Sequence, residues 1–294
     1  MTTEPDDASV DDEKMKELLN QWGDDGDDDS SDDDDDSEIQ EREVDLVDNV
    51  VDHVVFAAAT LEDGMAEFEK LTGCSTALTE AAPAFVIKGL GIRCARLALG
   101  DSYLEIIAPD SAKAGPIGQL IKEKGITKLT LFHYAIRTSK IDSLEDEVGD
   151  FGYTPDHITM FGGNATSKDG EPRKWELLYL YGHPIGGMCP YFVRWSQSNH
   201  HPCAILTENG SAWDRLVVRA PSDDPIHLLM ESLGSVQGLS VEVGEPDMSF
   251  HFSCPEGSVN FTTPVAVGFK FPGFDEESET DLDGPEAFPE PVSV

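Results

Sequence analysis

Three stretches of the chain share one pattern of apolar and polar positions. "VDHVVFAAA" from Val51, "LFHYAIRTS" from Leu131 and "WDRLVVRAP" from Trp213 are apolar runs of strand length. Each leads into a segment with apolar residues at helical spacing: "LEDGMAEFEKLTG", "KIDSLEDEVGDFG" and "PIHLLMESLGSV". Each of these ends near a glycine, which closes a helix readily because it takes the left-handed conformation. Further strand patterns follow: "RCARLALG" and "SYLEIIAPD", then "KWELLYLYG" and "PYFVRWSQS", then "FHFSCPEG" and "GSVNFTTP". The matching positions His53, His133 and Arg215 are 80 and 82 residues apart. A strand, a helix and a run of strands, repeated three times, predicts an α+β fold with curved mixed sheets. Helices would cover one face, and the concave face would be free to hold a ligand.

Outside these units the pattern changes. Residues 23–37, "GDDGDDDSSDDDDDS", hold almost nothing a core could bury, and the C-terminal "DEESETDLDGPEAFPEPVSV" reads the same way with prolines added. Like charges at that density repel one another, so both ends are expected to be disordered acidic tails. In "DDEKMKELLNQWG", Met15, Leu18, Leu19 and Trp22 share one helical face and Gly23 ends the pattern. That predicts a short amphipathic helix over 13–22, suited to a groove on a protein partner or on the chain's own domain. The expected organisation is an acidic tail over 1–48, two units over 49–202, a third, degenerate unit over 203–272 packed on the same domain, and a second acidic tail over 273–294.

Composition narrows the partners. The formal net charge is −38 and sits mostly in the tails: residues 1–50 hold 22 Asp/Glu against 3 Lys/Arg, and 274–294 hold 8 Asp/Glu and no Lys/Arg. A surface of that sign repels phosphate, which argues against nucleic acid and anionic membrane as partners. Cys74, Cys94, Cys189, Cys203 and Cys254 are scattered, odd in number and without a CxxC pair, as expected of reduced thiols inside a cell. No apolar run reaches ~18 residues, and the N-terminus lacks the basic and apolar regions of a secretory signal. The cytoplasm is the expected compartment, for a monomer or a homodimer. "FGGNATSKDGE" lacks the spacing of a phosphate loop and no GxSxG elbow occurs, so no organic cofactor is expected.

The pieces "DHVVFAAATLEDGMAEFEKLTG", "ARLALGDSYLEIIAPD", "SKDGEPRKWELLYL" and "PYFVRWSQSNHHP", in that order and spacing over 50–202, resemble the glyoxalase-like domain proteins of the vicinal oxygen chelate superfamily. The likeness is weaker over 203–264 and does not extend to the tails. It implies βαβββ modules paired around a cleft, with one metal ligand from the first strand of a module and another from its last. Carried over position by position, His53 in "VDHVV", Glu105 in "SYLEIIAP" and His133 in "LFHYA" match ligand positions. The fourth position falls near Val193, whose side chain cannot ligate. Two imidazoles and a carboxylate can hold a divalent Fe, Mn, Zn or Co ion and leave room for a small substrate with vicinal oxygens. The implied chemistry is of isomerase, lyase or dioxygenase type, with the metal stabilising an enolate or, as iron, activating oxygen. The alternative, which the gap at Val193 favours, is a non-catalytic small-molecule-binding or partner-binding protein on the same scaffold.

Read as residues alone, these positions carry their own arguments. A lone histidine in an apolar strand is commonly a hydrogen-bonded core residue. The third unit has Arg215 at the corresponding place, which suggests that the strand does not itself need imidazole and favours a function for His53 and His133. Alternation puts His53 on the face of Val51, Val55 and Ala57, His133 with Leu131, Ala135 and Arg137, and Glu105 with Tyr103 and Ile107. A carboxylate between Leu104 and Ile106 is costly to bury unless it ligates a cation or pairs with Arg93, Arg96 or Arg137. Arg137 and Arg194 are candidate forks for a substrate carboxylate, or simply exposed arginines. Tyr179 is a candidate wall of the cleft, or core. His200-His201-Pro202 reads as a structural turn, and no catalytic base is identifiable.

Overall fold

A computed structural model describes residues 44–78, 82–87, 90–111, 115–166, 172–181 and 189–264. The helix expected over 13–22, the acidic run 23–37 and the C-terminal acidic stretch lie outside the described residues. The first unit comprises β1 (Val50–Ala57), α1 (Leu61–Thr72), β2 (Phe85–Ile87), β3 (Ile92–Leu99) and β4 (Ser102–Pro109). Thr60 caps α1 by accepting the Asp63 N–H at 3.1 Å, and Gly73 closes it in the left-handed conformation. Leu61 and Phe68 pack on the sheet, and Gly64 lets the helix approach: a Cβ there would sit 2.7 Å from Ala58 Cβ.

A further helix, α2 (Pro116–Glu123), which the repeat does not call for, leads to the second unit. That unit comprises β5 (Thr130–Arg137), α3 (Ile141–Glu147), β6 (Thr154–Thr166), β7 (Pro172–Tyr181) and β8 (Tyr191–Trp195). The third comprises β9 (Ala212–Ala220), α4 (Ile226–Leu233), β10 (Leu239–Val243), β11 (Asp247–Cys254) and β12 (Gly257–Pro264). The fold is thus α+β, and each unit is βαβββ in chain order.

The first two units join edge to edge in one eight-stranded mixed sheet of order β2-β3-β4-β1-β5-β8-β7-β6. In each, the first strand lies parallel to the last, β1 to β4 and β5 to β8, while β1 and β5 meet antiparallel at the centre. The third unit is wound differently, in a sheet of order β10-β9-β11-β12. Its first strand pairs with its second and third, not its last. Arg215 is exposed and sits opposite His251. The matching of Arg215 to the two histidines is therefore one of sequence, not of structure, and says nothing about what β1 and β5 require.

The four-stranded sheet packs on the same face as α1. The ring of Phe56 meets Phe261 edge-on at 4.9 Å, and Phe68 stacks on Phe252 at 5.8 Å. One apolar core runs through both sheets, from Val54, Leu104 and Ile136 to Leu216, Val218 and Phe250.

The opposite, inner face of the large sheet was expected to be open, and it is covered at both ends. Ile117, Leu120 and Ile121 of α2 close one end against Val55, Ala57, Ile107 and Phe132. At the other, Val44 from the chain before β1 and Cys203 and Ala204 after β8 pack on Tyr103, Ala135, Tyr191 and Val193. Val44 was placed in the acidic tail by composition, yet it is only 3% exposed. Two valines and one leucine (Val44, Val47 and Leu46) among acids were too few to register as a core segment, but Val44 and Leu46 find an apolar surface waiting for them.

Candidate active site on the inner face

The polar residues of the inner face lie between those two apolar closures. Across the strands, Arg96 on β3 stands opposite Glu105 on β4, Glu105 opposite Val55 on β1, and Val55 opposite His133 on β5. One step along β1, His53 stands between Tyr103 and Ala135, and Ala135 stands opposite Tyr191 on β8.

Two register shifts between β1 and β5 shape the centre of this face. On β1, Val51 pairs with Ile136 and His53 with Ala135, so Asp52 is an extra residue. On β5, Val55 faces His133 while Phe56 faces Leu131, so Phe132 is extra in turn. Each histidine thus follows a bulge, which turns two consecutive side chains to one side. Asp52 joins His53 on the inner face, and Val51, expected beside His53, goes into the core behind.

Asp52 is fully buried and organises its surroundings. Its carboxylate lies 2.7 Å from His53 Nδ1, 3.2 Å from His201 Nε2 and 3.1 Å from Trp195 Nε1. Arg137 Nε is 3.8 Å away. His201 Nδ1 accepts the Cys203 N–H at 3.2 Å, which leaves its proton on Nε2 to be donated to Asp52. Burial pushes the Asp52 carboxyl up, but His201 and His53 together hold it well below the usual carboxylate range. An anionic Asp52 requires the His53 proton on Nδ1, so Nε2 carries the lone pair. That lone pair accepts the phenol of Tyr191.

The other sequence-selected residues sort by position. Tyr191 stacks on His133 at 5.1 Å and on Tyr179 at 5.0 Å, so Tyr179 does line this cluster. Burial, with His53 as a lesser cause, pushes the His133 imidazole down to about 3. Glu105 pairs with Arg96 at 2.7 Å, and the Arg96 guanidinium lies over the Phe85 ring at 4.6 Å. Burial lowers the Arg96 pKa, but Glu105 more than reverses this. Arg194 is on the far face, turned with Phe192 toward α3, where it pairs with Glu176 and with Asp142 at 2.7 Å. It is a correction to the sequence reading: alternation on β8 sends Tyr191, Val193 and Trp195 inward and Arg194 outward. A shallow recess beside Arg96 is lined by Ser75, Leu78, Thr207 and Asn209 among others.

His53, Glu105 and His133 do not gather into a metal site. Both nitrogens of His53 are engaged, by Asp52 and Tyr191, and the Glu105 carboxylate is taken by Arg96. Among the described residues no three His, Cys, Asp or Glu side chains come together closely enough to hold an ion. Val193, at the fourth position, is 1% exposed in an apolar cluster. The arrangement does not fit a divalent metal.

Asp52 and the role of His201 are what sequence reasoning missed. Alternation assigns Asp52 to the wrong face, and His201 lies 149 residues from the carboxylate it meets. The available signal was an aspartate inside an apolar strand, which has to be satisfied somewhere.

The low pKa of His133 makes stability depend on pH. Unfolded His133 takes a proton near 6.5, while the folded one refuses it until about 3. The unfolded chain binds more protons over that window, so stability falls as pH falls, at about 1.4 kcal/mol per pH unit for one such group. His201, also pushed down by burial, adds in the same direction. Urea unfolding between pH 7 and 4.5 is expected to show this slope, and His133→Phe to flatten it. An unchanged slope in that variant would exclude His133 as its source.

Residues 51–234 match the family described as glyoxalase-like domain. No curated protein matches the sequence. Among solved structures, a hypothetical protein from Staphylococcus aureus is similar at 12% identity over 72% of this chain and 84% of that one, with a TM-score of 0.44. Methylmalonyl-CoA epimerase from Mycobacterium tuberculosis is similar at 18% identity over 50% of this chain and 89% of that one, with a TM-score of 0.33. The epimerase of the same name from Streptomyces coelicolor is similar at 15% identity over 52% and 98%, with a TM-score of 0.35. No helix among the described residues is long and apolar enough to cross a membrane.

Proposed function

Because the chain belongs to the glyoxalase-like domain family, we propose that its inner face is an active site for a small molecule with vicinal oxygens, and that the step it performs is a proton transfer of isomerase or lyase type. The observation that carries this reading is the chain of hydrogen bonds from Asp52 through His53 to Tyr191. A buried carboxylate on Nδ1 sets the tautomer of an imidazole and stabilises the imidazolium that forms when Nε2 takes a proton. His53 is then the base. The acidic C–H beside a substrate carbonyl takes the place that the Tyr191 hydroxyl holds at rest. Burial raises the pKa of Tyr191 well above its ordinary value, so it stays protonated and can donate to the developing enolate oxygen. The proton held by His53 is delivered to the neighbouring carbon while the substrate's hydroxyl proton passes to the former carbonyl oxygen, which completes an isomerisation. Asp52 does not touch the substrate and positions His53. No step needs a metal, and oxygenase chemistry is not part of the proposal.

Deuterium wash-in tests it. In D2O, a panel of α-hydroxy ketones and α-keto acids is expected to include a compound whose C–H exchanges with the unmodified chain. Exchange falls to background in His53→Gln and is strongly reduced in Asp52→Asn, with a changed pH profile because the tautomer is no longer fixed. Exchange as fast in His53→Gln as in the unmodified chain would rule out the assignment. The covered inner face supports a second reading, a non-catalytic binding protein on the same scaffold. No wash-in with any member of the panel favours that one.

A further inference from the structure

The tight turn between β11 and β12 is pressed against the end of α1. Cys254 stands opposite Gly257 across the hairpin, so only Pro255 and Glu256 form its loop. A Cβ on Gly73, which closes α1, would sit 2.5 Å from Glu256 Cγ, and one on Gly210 would sit 3.3 Å from Pro255 Cγ. Just before the turn, Phe252 stacks on Phe68 of α1. This packing brings together two cysteines that are 180 residues apart in the chain. Cys74 follows Gly73 and is inaccessible, and Cys254 ends β11 and packs on the same core. Their thiols lie side by side, within hydrogen-bonding reach of each other.

The two thiols differ in access. Cys254 is partly exposed, and the other four cysteines are buried. Cys254 Sγ donates to the Gly257 carbonyl at 2.9 Å, which holds it within the turn. Cys74 Sγ lies 3.8 Å from the Thr72 carbonyl. Burial pushes the Cys74 thiol up, so it stays protonated and is a poor first target for an oxidant. The remaining cysteines have other neighbours: Cys94 lies beside Glu105, Cys189 beside Tyr153, and Cys203 donates to the Ser102 carbonyl at 3.0 Å. A thiol with water on one side and a second thiol on the other has the layout of an attacked cysteine next to its resolving partner.

We propose that Cys74 and Cys254 form an oxidative modification site: a small hydroperoxide oxidises Cys254, and Cys74 then closes a disulfide that ties the third unit to the first. In the first step the Cys254 sulfur attacks a peroxide oxygen. An S–O bond forms, the O–O bond breaks, and the thiol proton leaves with the released hydroxide as water. In the second, the Cys74 sulfur attacks the Cys254 sulfur. The S–S bond forms, the S–O bond breaks, and the hydroxide takes the Cys74 proton as a second water. Two thiols lose two electrons and the peroxide gains them. In a reducing compartment the bond is transient and reports exposure to oxidant. No group of the inner face takes part.

The test uses the full chain, fully reduced and then treated with hydrogen peroxide in slight excess. The intact mass is expected to fall by two hydrogens, and a proteolytic digest to yield the Cys74 and Cys254 peptides joined. The urea midpoint of the oxidised chain rises on the order of 1 M, because the bond closes a long loop in the unfolded chain. Dithiothreitol reverses all three changes. Cys254→Ser abolishes the link. Cys74→Ala leaves the sulfenic acid without its partner, so dimedone labels Cys254 in that variant and not in the unmodified chain. Joining of any other pair of cysteines, a link between two molecules, or equal dimedone labelling of Cys254 in Cys74→Ala and the unmodified chain overturns the proposal. So does a linked chain whose urea midpoint is unchanged or lower. If Cys74→Ala does not fold, the peptide map of the unmodified chain against that of Cys254→Ser, whose changed residue is partly exposed, still decides the outcome.

Discussion

Asp52→Ala is expected to lower folding stability by about 3–5 kcal/mol, the range found when one partner of a buried charged network is removed. The carboxylate is inaccessible to water, so solvent cannot replace it. Its loss leaves His53 Nδ1, His201 Nε2 and Trp195 Nε1 without their acceptor and Arg137 without its nearest opposite charge. The effect has a definite pH dependence. A carboxyl held below its unfolded value of about 3.9 stabilises the fold fully above that pH and loses its contribution as pH falls through the lower, folded value. At pH 7 the whole cost of Asp52→Ala is therefore seen. Asp52→Asn keeps an acceptor for Trp195 or His201 and is expected to cost less, so comparing the two by urea unfolding separates charge from shape. A loss below about 1 kcal/mol for Asp52→Ala, the size of one ordinary hydrogen bond, would mean that the network is not the ionised one described.

Phe56→Ala is expected to cost a similar amount, about 3–5 kcal/mol, for a different reason. Phe56 is inaccessible on β1 and forms the contact between the two sheets, edge-on to Phe261 at 4.9 Å and to Phe250 at 6.1 Å. Truncation removes the transferred apolar surface, leaves a cavity between sheets that cannot collapse together, and deletes two aromatic pairs worth about 0.5–1.5 kcal/mol each. Because one core spans both sheets, they are expected to unfold in a single transition, before and after the substitution. Far-UV circular dichroism and tryptophan fluorescence followed through the same denaturant series should shift together. Separate midpoints in Phe56→Ala, with an unshifted main transition, would show that the third unit folds apart from the first two.

The inner face looks different once these two networks are set side by side. Asp52 and His53 are held by contacts that cross the whole length of the domain, from β1 to β8 to the turn at His201. The three residues that resemble metal ligands do not share an ion: Glu105 is bound to Arg96, His133 stacks on Tyr191, and His53 belongs to Asp52. The ligand set that the resemblance implies is therefore not the set of contacts these residues make, and the proposed proton transfer is built on the contacts present.

The chain's local pattern was enough to determine its elements and much of its surface. The strands from Val51, Leu131 and Trp213, the helices that follow them, and the cap at Thr60 with its closing Gly73 are each dictated within a dozen residues. So is the inward direction of Glu105, because alternation along β4 is unbroken. Tertiary structure decided the rest. A bulge exists only relative to the strand across from it, so the pairing of β1 with β5 determined that Asp52 joins His53 and that Val51 leaves it. Strand order is likewise a choice between partners: the third unit carries the same succession of elements as the first two and closes its sheet in another order. The same holds for His201 and Val44. Neither has a neighbour in sequence that explains it, and each is placed by burial against a surface that forms only when the eight-stranded sheet does.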